Sequence, residues 1–452
     1  MIHRYKLGGF NIVIDAASGA IHSADDAAFD AIGAYESLGR EGAIRHIANR
    51  YSGMPADEAH KVIDEIDKLI SDGKLFSEAD YSALAEKAGV LPLKALCLNI
   101  SHQCNMACGY CFAGQGRYGG AGALMSIETG RRAVDFLLES SGARKNLYID
   151  FFGGEPLLNF GAVRDVVEYA RGKEHSSGKR FRFTLTTNGL LIDDEVVEFT
   201  TAEMENVVLS LDGRPETNDA FRKCLDGTGA YAHVLPLHKK LIDARGGTGY
   251  YIRGTYTRRN TGFTEDILHM ADLGFRELSM EPVVAPEDAP YSLTEAHLEE
   301  LCGQYELLAG EMLKREQEGA GFTFYHFKLD ATGGPCLYKR LAGCGVGTEY
   351  LAVTPEGDLY PCHQFVGDER FRMGDIFNGV ENEELAKLFQ SRNRVSRPEC
   401  EACWARLYCG GACAAGAYHA SGSVSGVYKL GCELFKKRIE CAVMMEVARA
   451  AR

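Results

Sequence analysis

The chain has 452 residues, enough for two or three domains, and a formal net charge of −14. That negative charge argues against a general nucleic-acid-binding or anionic-membrane surface. No apolar run reaches the ~18 residues of a membrane span, so we expect a cytoplasmic protein. Eleven of the fifteen cysteines fall into two spaced groups, which favours metal binding over disulfides.

Residues 1–80 are predicted to form a separate small domain. Short apolar stretches around glycine-containing turns predict a hairpin sheet at residues 5–7, 11–15 and 20–23. Three helical patterns follow, and the clearest, at residues 56–73, repeats apolar residues along one stripe. Residues 81–94 are predicted to be a helical linker.

Residues 95–320 alternate between strand-like and helix-like segments. Six apolar strands are predicted, at residues 95–100, 147–152, 181–187, 207–211, 250–257 and 277–283. Six such units imply a parallel sheet with helices outside it. Functional residues of barrels built this way gather at the carboxyl ends of the strands.

The first cysteine group follows the first of these strands. Cys104, Cys108 and Cys111 are spaced C-x3-C-x2-C, and three thiolates can hold three irons of a cluster while the fourth iron stays open. A zinc site or three unrelated cysteines are the alternatives. The spacing, with Tyr110 before the third cysteine, resembles the radical S-adenosylmethionine (SAM) superfamily. There the amino and carboxylate groups of SAM bind the open iron, so Tyr110 is a candidate cofactor contact.

The end of the second strand adds to this resemblance. Gly153, Gly154, Glu155 and Pro156 match the GGEP motif of that superfamily, whose backbone and Glu meet the ammonium group of SAM. Glycines let the backbone approach a ligand closely, and proline fixes the exit of the turn. A plain strand-to-helix turn is the alternative, but it would need no Glu before the proline.

Later strand ends resemble further SAM-contacting segments of the superfamily. The matching residues are Thr187, Asn188, Ser210 and Asp212. Hydroxyl and amide groups suit the ribose, and the Ser of the fourth strand is expected at the SAM carboxylate. Arg222 is a second candidate carboxylate partner or else a surface arginine, because Asn218 stands where relatives often carry a His.

Residues 321–452 hold the second cysteine group. Its spacing resembles the SPASM domain at all seven positions, whereas a zinc ribbon explains only the first C-x2-C pair. The resemblance implies two auxiliary [4Fe–4S] clusters. The outer cluster would be held by Cys400, Cys403, Cys409 and Cys432, and the inner one by Cys344, Cys362 and Cys413. The fourth inner ligand is either Cys336 or a thiolate of the substrate.

The expected fold class is therefore α/β: a partial (β/α)6 TIM barrel with a small N-terminal domain and a cysteine-rich SPASM domain. The N-terminal domain resembles the winged-helix-like PqqD-like RiPP recognition element, in which a leader peptide adds a strand to a sheet edge. A packing cap without a ligand is the alternative.

Residues 9–15 and 333–367 resemble the SCIFF maturases, whose six-cysteine peptides receive thioether cross-links. That resemblance implies SAM and three [4Fe–4S] clusters, one SAM-binding and two auxiliary. It also implies a Cys-rich precursor peptide with a leader, and reduced flavodoxin or ferredoxin as electron donor. A 5′-deoxyadenosyl radical would take a hydrogen from an acceptor residue, expected to be Thr, and a Cys sulfur would bond to that carbon. The alternatives are formylglycine formation on a sulfatase and a non-enzymatic iron–sulfur electron-transfer protein.

Overall fold

The computed structural model describes residues 1–78, 91–329, 343–392 and 397–452. Most of the predicted linker and Cys336 lie outside the described residues. No helix in the described ranges is long and apolar enough to cross a membrane.

The N-terminal unit contains the predicted antiparallel sheet, with strands β1 (Ile2–Leu7), β2 (Phe10–Asp15) and β3 (Ile21–Ala24) in that order. Helices α1 (Asp26–Arg50) and α2 (Ala56–Ser71) follow. Gly39, with φ 68°, breaks α1, so the three predicted helical patterns become three helical segments.

Strand β2 is buried on both faces, so the N-terminal sheet is an inner layer. Val13 packs into a small core with α1 and α2. Ile12 and Ile14, on the other face, belong to the main core and are fully buried. The last helix of the chain, α13 (Lys429–Ala450), contacts β1 and β2 from that side.

The central unit confirms the predicted parallel sheet with helices outside. Its strands are β4 (Ala95–Ser101), β5 (Asn146–Gly153), β6 (Arg180–Thr187), β7 (Asn206–Ser210), β8 (Tyr250–Tyr256) and β9 (Glu277–Pro282), paired in chain order. The helices are α3 (Ile127–Ser140), α4 (Phe160–Ser177), α5 (Asp194–Glu203), α6 (Pro215–Phe221), α7 (Tyr231–Ala244), α8 (Phe263–Asp272) and α9 (Leu298–Gln317).

The two faces of these strands differ in chemistry. Leu96, Ile149 and Phe183 are fully buried on the face that the helices cover. The residues alternating with them line the inside of the partial barrel and include polar side chains, because successive strand residues point to opposite faces. In this interior Thr184 hydrogen-bonds the Asp150 carboxyl, whose pKa burial raises to about 6.

The C-terminal part continues the barrel sheet. Strand β10 (Thr323–Phe324) pairs with β9, and β11 (Tyr350–Val353) pairs in parallel with β4. Short antiparallel strands β12 (Asp358–Tyr360), β13 (Gly374–Asp375) and β14 (Gly379–Val380) complete an 11-stranded sheet. The remaining helices are α10 (Glu383–Ser391), α11 (Pro398–Glu401), α12 (Ala414–Ser421) and α13. One sheet thus joins the first cysteine group to the second.

Candidate functional site

The loop with the first three cysteines follows β4 and is tied to the segment after α6. Ala107 N donates to the Lys223 carbonyl at 2.8 Å, and Gly109 N donates to the Phe221 carbonyl at 2.9 Å. An isolated antiparallel bridge joins the same two segments. Protein contacts alone therefore give the loop much of its shape.

Cys104, Cys108 and Cys111 lie close enough for the charge of one thiol to act on the others. Burial raises the pKa of Cys104 to about 12, with the charges of Glu155, Cys108 and Cys111 adding to the effect. Burial likewise raises the pKa of Cys108 to about 11. The free thiols of Cys104 and Cys108 are protonated at neutral pH, so a metal bound there must displace their protons.

The two glycines after β5 bring that strand end against the cysteine loop. A Cβ on Gly153, whose φ is 129°, would lie 2.3 Å from the Ser101 carbonyl oxygen. A Cβ on Gly154 would lie 2.2 Å from the Gln103 carbonyl oxygen. Gly154 N donates to Ser101 O, and Glu155 N donates to Gln103 O, both at 2.8 Å. These glycines are needed first for contact between two protein segments.

The Glu155 carboxylate is buried and accepts three hydrogen bonds from the protein. Its Oε1 accepts from Thr187 Oγ1 at 2.7 Å and Leu157 N at 3.1 Å, and its Oε2 accepts from Asn188 N at 2.8 Å. Burial raises the pKa of Glu155 to about 7, although these bonds lower it. The side chain fastens the end of β6 to the turn that begins at Pro156.

Asn188 links the end of β6 to the cysteine loop. Its Nδ2 donates to Asn105 Oδ1 at 2.8 Å and lies 3.8 Å from Cys104 Sγ. A donor beside a cysteine sulfur favours the thiolate. Nothing in the sequence pattern marks Asn105 except its place beside Cys104.

Asp212 is the centre of a buried network after β7. Its Oδ1 accepts from Arg222 Nη2 at 3.0 Å and Thr255 N at 2.8 Å, and its Oδ2 accepts from the Tyr110 hydroxyl. Burial lowers the pKa of Arg222, but the charge of Asp212 raises it above its ordinary value. The guanidinium lies 5.7 Å from the Tyr110 ring centroid. These contacts therefore fix the side chains of Tyr110, Asp212 and Arg222 relative to one another.

Two more residues complete this end of β7. Asn218, in the position where relatives often carry a His, accepts a hydrogen bond from Asp212 N at 3.2 Å. Its buried amide thus supports the network. Ser210 ends β7, half-buried. Arg222 Nε is a buried donor with no hydrogen-bond partner among the described residues.

The C-terminal cysteines form two groups in space. Burial raises the pKa of Cys432 to about 12, with the charges of Cys409, Cys400 and Cys403 adding to it. Burial also raises the pKa of Cys362 well above its ordinary value, and the charges of Cys413, Cys344 and Cys97 add to this effect. Within the four described ranges, no group of three or more His, Cys, Asp or Glu side chains is placed to hold a single metal ion.

Family models match the two parts of the chain that carry these thiols. Residues 98–258 match the Radical SAM superfamily, and residues 344–404 match SPASM, an iron–sulfur cluster-binding domain. The chain contains a radical SAM domain followed by a SPASM domain. The radical SAM match includes the first thiol group and both strand-end networks.

Two curated relatives resemble this radical SAM/SPASM chain over most of its length. The subtilosin biosynthesis protein AlbA of Bacillus subtilis is 25% identical over 335 residues, covering 71% of this chain and 67% of that protein. The Cysteine-type anaerobic sulfatase-maturating enzyme of Clostridium novyi is 24% identical over 334 residues, covering 67% and 83%.

Solved structures share the fold. Native anSMEcpe with bound AdoMet superposes with a TM-score of 0.64 at 22% identity, covering 80% of this chain and 100% of that chain. Streptococcus suis SuiB bound to precursor peptide SuiA gives 0.54 at 17% identity, covering 94% and 97%.

The radical SAM site fits a thiolate-held cluster and SAM in its donor chemistry. Three thiols that lie together supply the soft ligands that iron–sulfur clusters take. The buried Nε of Arg222 offers a cationic donor to an acceptor from outside the protein. Because Gly153 and Gly154 allow close contact, the end of β5 and the loop that carries Cys104, Cys108 and Cys111 form one continuous surface.

An aromatic group joins the SPASM domain to the barrel interior. The His363 ring lies 4.8 Å from the Phe152 ring and 5.5 Å from the Phe112 ring, centroid to centroid. Phe152 comes from β5 and Phe112 directly follows Cys111, while His363 follows Cys362. No motif pointed to Phe152 as a site residue, and the resemblance of residues 333–367 included His363 without giving it a role, because only the fold brings the loops together.

Proposed function

We propose that this protein is a radical SAM enzyme that installs thioether cross-links in a ribosomally made, Cys-rich precursor peptide. The observation that carries the proposal is the arrangement of ten cysteines in three spatial groups, one at the barrel strand ends and two in the SPASM domain. Two similar proteins, a subtilosin biosynthesis protein and a protein solved with a bound precursor peptide, support a peptide substrate.

In this proposal Cys104, Cys108 and Cys111 hold the SAM-binding [4Fe–4S] cluster. When SAM binds there, its reductive cleavage supplies a 5′-deoxyadenosyl radical that takes a hydrogen atom from the peptide. The ends of β5, β6 and β7 position the cofactor through Gly153, Gly154, Glu155, Thr187, Asn188, Ser210 and Arg222. Asp212 and Tyr110 act mainly by orienting Arg222.

The SPASM thiols hold two auxiliary [4Fe–4S] clusters in the proposal. Cys400, Cys403, Cys409 and Cys432 hold the outer one, and Cys344, Cys362 and Cys413 hold the inner one. The fourth inner ligand is Cys336 or a substrate thiolate. Reduced flavodoxin or ferredoxin supplies the electrons. The aromatic side chains of Phe112, Phe152 and His363 pack together between the first thiol loop, β5 and the SPASM domain.

The N-terminal sheet is the proposed site for the leader. Strand β3 is an edge strand. Asp15 N donates to Ala20 O, so the alternation of the antiparallel ladder turns the backbone N–H and C=O groups of Ile21 and Ser23 outward. An added strand would pair with these groups.

Ser23→Pro tests this site, because proline removes an outward donor while leaving the ladder to β2 complete. We expect weaker binding of a full precursor peptide and unchanged SAM cleavage without peptide. Ser18→Pro, in the turn before β3, is the matched control. Equal binding by Ser23→Pro and the native protein would contradict leader docking at β3.

The product distinguishes the proposal from its main rival. A Cys-to-carbon thioether removes two hydrogen atoms from the peptide, whereas formylglycine formation from Cys removes sulfur and two hydrogens and adds oxygen. The rival has support from the sulfatase-maturating relative. Anaerobic incubation with SAM, reductant and each peptide, followed by tandem mass spectrometry, decides between them.

A non-enzymatic electron-transfer protein would reduce and reoxidise its clusters without consuming SAM. Measuring 5′-deoxyadenosine from the reconstituted, reduced protein therefore tests enzymatic activity itself. Iron-free or zinc-loaded protein after anaerobic purification would overturn the cluster assignment.

A further inference from the structure

One row of residues crosses the inner face of the barrel beside the radical SAM site. Ser210 is in register with Arg253 on β8, and Arg253 is in register with Ser279 on β9. Register neighbours share a face of the sheet, so Arg253 lies on the same inner face as Ser210. Ile252, which precedes it, is fully buried on the helix-covered face.

Arg253 is exposed and forms no side-chain hydrogen bond or ion pair with the described residues. The charged side chains near Arg253, in contrast, form ion pairs or hydrogen bonds with one another. Glu281 Oε2 accepts from both terminal nitrogens of Arg438, at 3.2 and 3.1 Å. His326 Nε2 lies 3.3 Å from Glu281 Oε1 and 3.1 Å from Ser279 Oγ.

The charges around Arg253 do not balance. Burial opposes ionisation of Glu281, but Arg438, His326 and Arg253 lower its pKa to about 2. Burial lowers the pKa of His326 to about 3, so this ring is neutral at pH 7. Two guanidinium groups therefore face one carboxylate, and the ion pair with Arg438 already uses it. One positive charge is therefore left over beside Glu281.

The surplus charge, which is that of Arg253, faces the barrel interior and not the cluster of Cys104, Cys108 and Cys111. Arg253 acts electrostatically on His363, whose ring packs on Phe152 across the interior. Arg222 is the guanidinium whose charge acts on Cys108. The interior thus combines an aromatic surface with a free guanidinium, which matches carboxylate geometry through paired N–H donors.

We propose that Arg253 binds a carboxylate of the substrate peptide and so fixes the reacting residue in the barrel. This inference rests on the proposed peptide-modifying function. The carboxylate is either an acidic side chain near the reacting residue or the end of the peptide chain.

The test measures binding of synthetic peptides to anaerobically reconstituted protein by equilibrium dialysis, with SAM present. The first probe is acetyl-Gly-Thr-Cys-Asp-Gly-Gly-amide, the second carries Asn in place of Asp, and the third carries Asn with a free terminal carboxylate. The variants are Arg253→Gln and Arg253→Lys. Arg182→Gln is the matched control, since Arg182 lies on β6 near the other end of the barrel and already pairs with Glu205.

We expect the native protein and Arg182→Gln to prefer one carboxylate-bearing probe over the Asn amide by about tenfold. Preference for the first probe identifies a side-chain carboxylate, and preference for the third identifies the chain end. Arg253→Gln should lose the preference, and Arg253→Lys should keep part of it. SAM affinity should not change in either variant.

Equal binding of all three probes by the native protein would overturn the inference while leaving a peptide substrate in place. A preference that survives Arg253→Gln would also overturn it. A loss of SAM affinity in Arg253→Gln with unchanged peptide preference would assign this arginine to the cofactor instead. Binding of none of the probes would overturn the inference, whereas the peptide substrate itself is tested separately by binding of the full precursor peptide.

Discussion

The loop that carries Cys104, Cys108 and Cys111 is held in place by other contacts than the loops that carry the C-terminal cysteines. The first group lies at the ends of long parallel strands, and backbone bonds from Ala107 and Gly109 hold its loop. In the SPASM domain the strands β12–β14 have only two or three residues each, and Cys344 and Cys413 are exposed. The barrel can therefore keep its site without metal, whereas the SPASM loops depend more on what their cysteines bind.

The largest effect should come from replacing Cys104, Cys108 and Cys111 together with Ala. We expect formation of 5′-deoxyadenosine to fall to background, because these three thiols are the proposed ligands of the SAM-binding cluster. Secondary structure should be retained, since the barrel ladders do not involve these side chains. Circular dichroism, iron content and deoxyadenosine assays check this. Residual deoxyadenosine formation would contradict the assignment.

Replacing Cys409 and Cys432 with Ala should instead act on stability. Loss of cluster ligands removes binding free energy that helps fold the SPASM loops, so the thermal midpoint should fall by several degrees. Limited proteolysis should cut first within residues 397–452. Cys302→Ala is the control. The contrast between the two regions would be contradicted if replacing Cys104, Cys108 and Cys111 lowered the thermal midpoint as much as replacing Cys409 and Cys432.

Glu155→Gln should have a moderate effect. The amide cannot accept all three hydrogen bonds of the carboxylate, so we expect a loss of about 1–3 kcal/mol in the free energy of unfolding. Weaker SAM binding should follow, because the ends of β5 and β6 are no longer fastened. Urea denaturation and equilibrium dialysis measure the two effects. Glu198→Gln, on an exposed acid of α5, should leave both unchanged.

The smallest effect concerns pH. The pKa of Glu281 falls from an unfolded value of about 4.5 to about 2, chiefly through Arg438, with His326 and Arg253 adding to it. Its ion pair with Arg438 therefore stabilises the fold above pH ~4.5, and the contribution is lost as pH falls toward 2. Since a third of the side chain is exposed, we expect only about 1 kcal/mol. Glu281→Gln should flatten this part of the stability–pH curve, and an unchanged slope would contradict the ion-pair account.

Local patterns were sufficient to predict the six parallel strands, the N-terminal hairpin sheet and the order of the elements. Apolar periodicity reports which residues are buried within each element, and that depends on nearest neighbours along the chain. The spacing of the cysteines likewise indicates iron–sulfur chemistry, because the ligands of each loop are close in sequence. The direction of the Glu155 carboxylate was not predictable, since its partners, such as Thr187, lie on another strand.

The sequence by itself thus determined the elements and the residue types available for chemistry. The tertiary structure decided which of them meet: β11 joining β4 across two domains, Asp212 holding Arg222, and His363 packing on Phe152. It also left the Arg253 side chain without a hydrogen-bond or ion-pair partner among the described residues. These outcomes depend on side chains far apart in the chain, whose distances are set only when the sheet closes and its long-range contacts form.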